Sequence, residues 1–209
     1  LFMNIYIIRH GETEYNRLGI VQGSGVDTSL NETGQWQAQS FYTYYRDQPF
    51  DLFVTSALRR SQETLKPFLD GSDVPWVKMP EINEISWGTH EGMPSTAERI
   101  GVYRHMVEEW HKGNFDAALP GGETANQLAL RVQLFLDWLS ARPEKHILVC
   151  THGRTLRCMV ALMKGQPLQY MEHVHHANTG CYQVRRHDGR FHFLMENDTR
   201  HLVHAQLAV

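Results

Sequence analysis

Three runs of nearly continuous apolar residues interrupt an otherwise mixed chain: MNIYIIR at 3–9, DLFVTS at 51–56 and KHILVCTH at 145–152. Short runs rich in Ile and Val, without polar alternation, predict strands buried on both faces of a sheet. Between them the period changes. Over 123–142, Leu128, Val132, Phe135 and Leu139 recur at helical spacing, Thr124 and Gln127 form a capping box, and Pro143 follows the end, which predicts a helix. Residues 30–46, with Ser29 or Asn31 as cap, read the same way, as do 57–69 and 153–164, the last closed by Gly165 and Pro167. A third pattern appears at 181–196, CYQVRRHDGRFHFLME, where two alternating runs flank Asp188 and Gly189. That dipeptide favours a two-residue hairpin turn. Strands alternating with helices, followed by one hairpin, predict an α/β fold. Its expected form is a three-layer α/β/α arrangement with a mostly parallel central sheet, an antiparallel edge hairpin and a small lid region.

Composition sharpens this picture in a few respects. The 209 residues, 42% hydrophobic and 21% charged, suit one domain over 3–209 with a lid-like insertion at about 86–122. The aromatic and methionine residues of that insertion, Trp87, Met93, Tyr103, Met106 and Trp110, read as packing. A net charge of -3 gives no reason to expect nucleic acid or an anionic membrane as partner, so any anion site must be local. Cys150, Cys158 and Cys181 form no CxxC pair and read as reduced core thiols, which fits a cytoplasmic protein. No apolar run approaches the roughly 20 residues that span a bilayer, and no signal peptide is evident. Oligomeric state is left open.

In open α/β sheets the ligand lies beyond the carboxyl ends of the strands. The first predicted strand ends on Arg9, His10 and Gly11, the second runs into SALRRSQET, and the third ends on Thr151, His152 and Gly153. Two His-Gly pairs therefore meet at one rim. Glycine lets backbone approach a ligand closely, and a helix starting after Gly153 offers free N–H groups to an anion. Arginine adds planar, permanently charged donors suited to phosphate. The cluster HVHHANTG at 173–180 lacks cysteine or acidic ligands at a metal spacing, so no metal site is expected. Gly121 and Gly122 are followed by no Lys-Ser or Lys-Thr pair, which argues against a nucleotide loop.

The segments RHGETEYN, VQGSGVDTSLNETGQWQA, SALRRSQET, INEISWGTHEG, PGGET and VCTHGRTLR stand in this order along nearly the whole chain. In that order they resemble the histidine phosphatases, the phosphoglycerate mutase-like superfamily. The resemblance implies that His10 is the phosphorylated nucleophile, that Arg9, Arg60 and His152 hold the phosphoryl group, and that Glu84 is the proton donor. Asn16 matches a phosphate-contacting position and Gln22 a pocket position common among the phosphatases. Arg59, beside Arg60, is expected to be a solvated neighbour. Two departures stand out: Ser29 replaces a usual proline, and Arg154, at a variable position, adds a cation near the pocket mouth.

The chemistry agrees with the resemblance. Phosphoryl transfer depends mainly on positioning and on stabilising charge on the equatorial oxygens, which Arg9, Arg60 and His152 would do without metal or other cofactor. A nucleophilic imidazole must be neutral, and neighbouring arginines are expected to push His10 below its ordinary pKa of about 6.5. A hydrogen bond from its other ring nitrogen to a backbone carbonyl would fix the tautomer. The expected activity is metal-independent hydrolysis of a small phosphomonoester. A mutase returning the phosphoryl group to substrate, and a non-catalytic phosphate-recognition module, are the alternatives. Residues 85–151 alone separate Glu84 from His152, and a predicted helix and strand occupy much of that span. The remaining lid is modest, which favours admission of water and hence hydrolysis.

Overall fold

The structure is a computed structural model describing residues 2–207. Six strands form one sheet: β1 (Phe2–Arg9), β2 (Leu52–Thr55), β3 (Trp76–Lys78), β4 (His146–Thr151), β5 (Cys181–His187) and β6 (Arg190–Asp198), in the spatial order β3-β2-β4-β1-β5-β6. Strands β1 to β4 run parallel, with Ile5 opposite Ile147 and Leu52 also opposite Ile147 on the other side of β4. Strand β5 turns antiparallel to β1, and β6 completes the edge hairpin. At the hairpin turn Asp188 and Gly189 have φ of 49° and 76°, the double left-handed conformation the dipeptide favours.

Seven α-helices complete the fold among the described residues: α1 (Glu14–Leu18), α2 (Glu32–Tyr45), α3 (Arg59–Asp70), α4 (Ala97–His111), α5 (Ala125–Ser140), α6 (Gly153–Met163) and α7 (Arg200–Leu207). The predicted capping box at Thr124 and Gln127 opens α5, and Asn31, not Ser29, caps α2 by accepting from Gly34 N–H. Successive residues of β1 point to opposite faces, so Ile5 and Ile7 enter one core with Leu128, Val132, Phe135 and Met159, from α5 and α6. Tyr6 and Ile8 enter the other, with Phe41, Leu65 and Phe68 from α2 and α3. Both faces of the central strands are thereby dry, which is why they read as unbroken apolar runs. All three cysteines are buried and free.

Four elements went unpredicted: the short α1 and β3, and α4 and α7. Helix α4 hides because it buries little, only Met106 and Trp110, so it lacks a continuous apolar stripe. It lies within 86–122, whose ends meet at their base: Glu123 N donates to Ser86 O at 2.8 Å and Thr89 N to Pro120 O at 3.0 Å. No helix among the described residues is long and apolar enough to cross a membrane.

Candidate active site

The carboxyl ends of β1 and β4 bring His10 and His152 together, their ring centroids 5.1 Å apart. His10 is held to β4 by its backbone, N–H to Thr151 O at 2.9 Å, and its side chain is buried. Its Nδ1 lies 2.7 Å from Gly11 O. A carbonyl only accepts, so Nδ1 carries the proton and Nε2 presents its lone pair. Burial pushes the imidazole pKa well below its ordinary value, with Arg60 and then Arg9 adding to the effect. The expected depression is present, with burial and not the arginines as its first cause.

Arg60, in the first turn of α3, is fully buried. Its Nη1 donates to Val26 O at 2.6 Å, Nη2 to Gly23 O at 3.2 Å, and Nε to His152 Nδ1 at 3.2 Å. Guanidinium has no acceptor, so His152 Nδ1 must be unprotonated and Nε2 carries its hydrogen. That Nε2 donates to Ser56 Oγ at 2.7 Å, and Ser56 and Ser61 hydroxyls stand 2.7 Å apart. Both ring nitrogens of His152 are thus engaged within the protein. As the residues stand, His152 aims Arg60, and contact with a phosphoryl oxygen requires exchange of one of these bonds. Burial, then Arg60, holds the His152 imidazole pKa well below normal. Arg59 is exposed, as expected, its N–H on Asp27 and its guanidinium near Ser29.

Glu84 approaches from the loop after β3 and is buried. Its Oε1 accepts from Ile85 N–H and Thr155 N–H, with the Thr155 hydroxyl, which donates to Asn83 O at 2.7 Å, also 3.2 Å away, while Oε2 accepts only from Arg154 N–H, at 3.1 Å. This corrects one expectation. The N–H groups of Arg154 and Thr155, in the first turn of α6, serve Glu84 and are not free for an anion. Oε2, with one protein donor, keeps a lone pair for a proton.

Gly153 is close-packed: an added Cβ would lie 3.1 Å from the His176 ring and 3.6 Å from Arg9 Nε. Gly11 has a different reason, since a Cβ there would meet Gly34 O at 2.7 Å. Its constraint is helix packing against α2, not a ligand. Asn16 serves in the capping box of α1, its Oδ1 accepting Thr13 N–H. Gln22 Oε1 accepts from the hydroxyls of Thr13 at 3.0 Å and Thr28 at 2.6 Å, leaving Nε2 buried without a partner.

Sequence reasoning missed His176 and Asn178. Arg9 Nη1 reaches His176 Nδ1 at 3.2 Å and its carbonyl at 3.0 Å, and Asn178 Nδ2 donates to His10 O at 3.0 Å. The HVHHANTG cluster is therefore a wall that orients Arg9 and His10. The one available signal was its place immediately before β5, the neighbour of β1. Arg9 keeps its charge at neutral pH, although burial lowers its pKa to about 10. Arg154 also departs from expectation. It is buried and bonded to Glu172 and the Tyr103 hydroxyl, with its guanidinium 6.0 Å from the Trp87 ring and 5.3 Å from that of Trp110. It fastens α4 to the body of the protein, and the cation it brings to the cavity wall is already paired with Glu172. A cavity of about 170 Å³ opens among Arg9, Glu84, Trp87, Tyr103, Arg154 and Arg157.

A mostly parallel sheet with two strand-end histidines, a buried and a half-buried arginine and a glutamate at one rim defines a phosphoryl-transfer class of protein. Residues 5–199 match the histidine phosphatase superfamily (branch 1), and the chain belongs to it. It is 30% identical over 186 residues to the adenosylcobalamin/alpha-ribazole phosphatase of Salmonella typhimurium, covering 87% of this chain and 89% of that protein. It is 31% identical over 171 residues to the "Probable phosphoglycerate mutase GpmB" of Yersinia pestis, covering 79% and 76%. The crystal structure of the alpha-ribazole phosphatase from Shigella flexneri superposes with a TM-score of 0.83 at 27% identity, covering 94% of this chain and 96% of that one.

Proposed function

We propose that this protein hydrolyses a small phosphomonoester through a covalent phosphohistidine at His10. The observation that carries the reading is the fixed tautomer of a buried, neutral His10 beside Arg9 and Arg60. His10 Nε2 attacks phosphorus as the ester P–O bond breaks, and Glu84 gives its proton to the departing alcohol oxygen. Water then attacks the phosphohistidine, Glu84 takes its proton, and inorganic phosphate leaves with the imidazole restored. Arg9 and Arg60 supply the positive charge that a metal supplies in other phosphoryl-transfer enzymes. Asn16, His152 and Gly153 complete the phosphate-binding surroundings, Gln22 meets the substrate beyond the phosphoryl group, and 86–122 acts as a lid over the single domain. Hydrolysis is preferred to mutase transfer because that lid is short.

Protein denatured in alkaline detergent in mid-turnover with an aryl phosphate should carry phosphate that is labile to acid and stable to base, and the His10→Ala variant should carry none. EDTA should leave the rate unchanged. Acid-stable label on the wild type, or a rate lost to EDTA and restored by Mg²⁺, would overturn the mechanism.

A further inference from the structure

A second cavity, of about 280 Å³, adjoins the catalytic one and shares Trp87 and Tyr103 with it. We infer that this cavity seats a planar heteroaromatic group carried by the alcohol half of the substrate, a proposal that rests on the hydrolase reading above. Its size falls just below the range of about 300–1,000 Å³ typical of small-molecule sites, which suits one ring system and not a whole ligand. The walls fit a ring. Val21, Ile100 and Leu119 are aliphatic, and Trp87 and Tyr103 meet edge to face with centroids 5.6 Å apart.

Two polar side chains in this lining choose between a ring and a plain hydrocarbon. His90 is buried, and neither of its ring nitrogens has a hydrogen-bond partner. Gln22 has its carbonyl oxygen committed to Thr13 and Thr28, so its amide orientation is set and its buried Nε2 is a donor without an acceptor. Ser95 already donates to Gly19 O, and Arg99, whose Nη1 donates to Pro94 O, keeps further N–H groups for an acceptor on the ligand. A neutral histidine offers one donor and one acceptor, and Gln22 adds a second donor. An alkyl chain would leave all of these unpaired, whereas a ring with nitrogen or carbonyl groups at its edge would satisfy them while its faces lie against the aromatic walls.

Adenosine 5′-monophosphate and ribose 5-phosphate share the phosphoryl group and the sugar and differ in the ring. Phosphate release should show kcat/KM at least about tenfold higher for the ring-bearing ester, the worth of one well-made buried hydrogen bond or more. His90→Leu should collapse that ratio toward one. Binding of both esters to the His10→Ala protein, followed by tryptophan fluorescence, separates the two readings. If aryl phosphates are hydrolysed but the two esters bind equally and His90→Leu changes nothing, the cavity assignment is wrong. If the ring-bearing ester binds preferentially while no ester releases phosphate, the hydrolase reading falls and the cavity assignment stands.

Discussion

The two ends of the site are built on opposite plans. Around His10 the polar groups are held by the protein itself: Gly11 O fixes His10, Ser56 and Arg60 fix His152, and Thr155 with two further backbone amides fixes Glu84. In the segment 86–122 the walls are aromatic and aliphatic, and His90 in their midst has no partner. A network held mostly by the protein's own bonds is rigid and suits one invariant group, the phosphoryl, for which the buried Arg9 Nε is left without a partner. An unsaturated apolar cavity waits for a ligand and can be reshaped without touching the chemistry.

The largest expected effect would break the first plan. Glu84→Gln should lower kcat on alkyl phosphates by about 10²- to 10⁴-fold and on aryl phosphates by less, because aryl leaving groups need less protonation. Both oxygens of Glu84 accept N–H groups, so the new amide must set a donor against a donor and should cost about 1–3 kcal/mol in urea unfolding. Equal losses on both ester classes would remove Glu84 from the acid role.

Arg154→Ala tests the join between the two regions. It removes the bonds to Glu172 and Tyr103 and the contacts with Trp87 and Trp110. The expected destabilisation is about 2–3 kcal/mol, below the roughly 3–5 of a broken fully buried pair, because Arg157 remains 3.3 Å from Glu172. An unchanged urea midpoint would mean that α4 is held without it.

The smallest effect is the share of one histidine in a slope with pH. His10 and His152 are held below the ordinary imidazole range, as are His176 at about 3 and His201 at about 4, in each case first by burial. The unfolded chain binds protons that the folded chain refuses, so stability is full above about pH 6.5 and falls as pH drops below it. Each histidine contributes up to about 1.4 kcal/mol per pH unit. Urea midpoints should fall between about pH 6.5 and 5, and less steeply in His10→Ala by that one share. An identical slope in the variant would show that His10 takes up its proton in the folded protein.

Much of the frame was present in local pattern. Doubly buried strands must be apolar throughout, so β1, β2 and β4 stood out, and Asp188-Gly189 announced its hairpin because few residues tolerate left-handed φ. Arg9, His10 and His152 were readable because strand ends are short-range features, and Arg60 was told from Arg59 by the family resemblance. Helix α4 was not readable, since Met106 and Trp110 are its only buried residues and a helix that buries so little leaves no periodic signal. The edge strand β3 has three residues, too few for any period.

What the sequence determined alone is therefore the strands other than β3, the order of the motifs and the chemical type of the groups at the rim. Tertiary structure decided what each group does with its hydrogen bonds. The first-turn amides of α6 went to Glu84, Arg154 went into a buried pair, and His176 and Asn178, more than 160 residues from Arg9 and His10, became their supports. The reason is physical. A strand or helix is specified by interactions between near neighbours and by the side of the chain that meets water, whereas the partner of a buried polar group is whichever donor or acceptor the packed fold delivers to it.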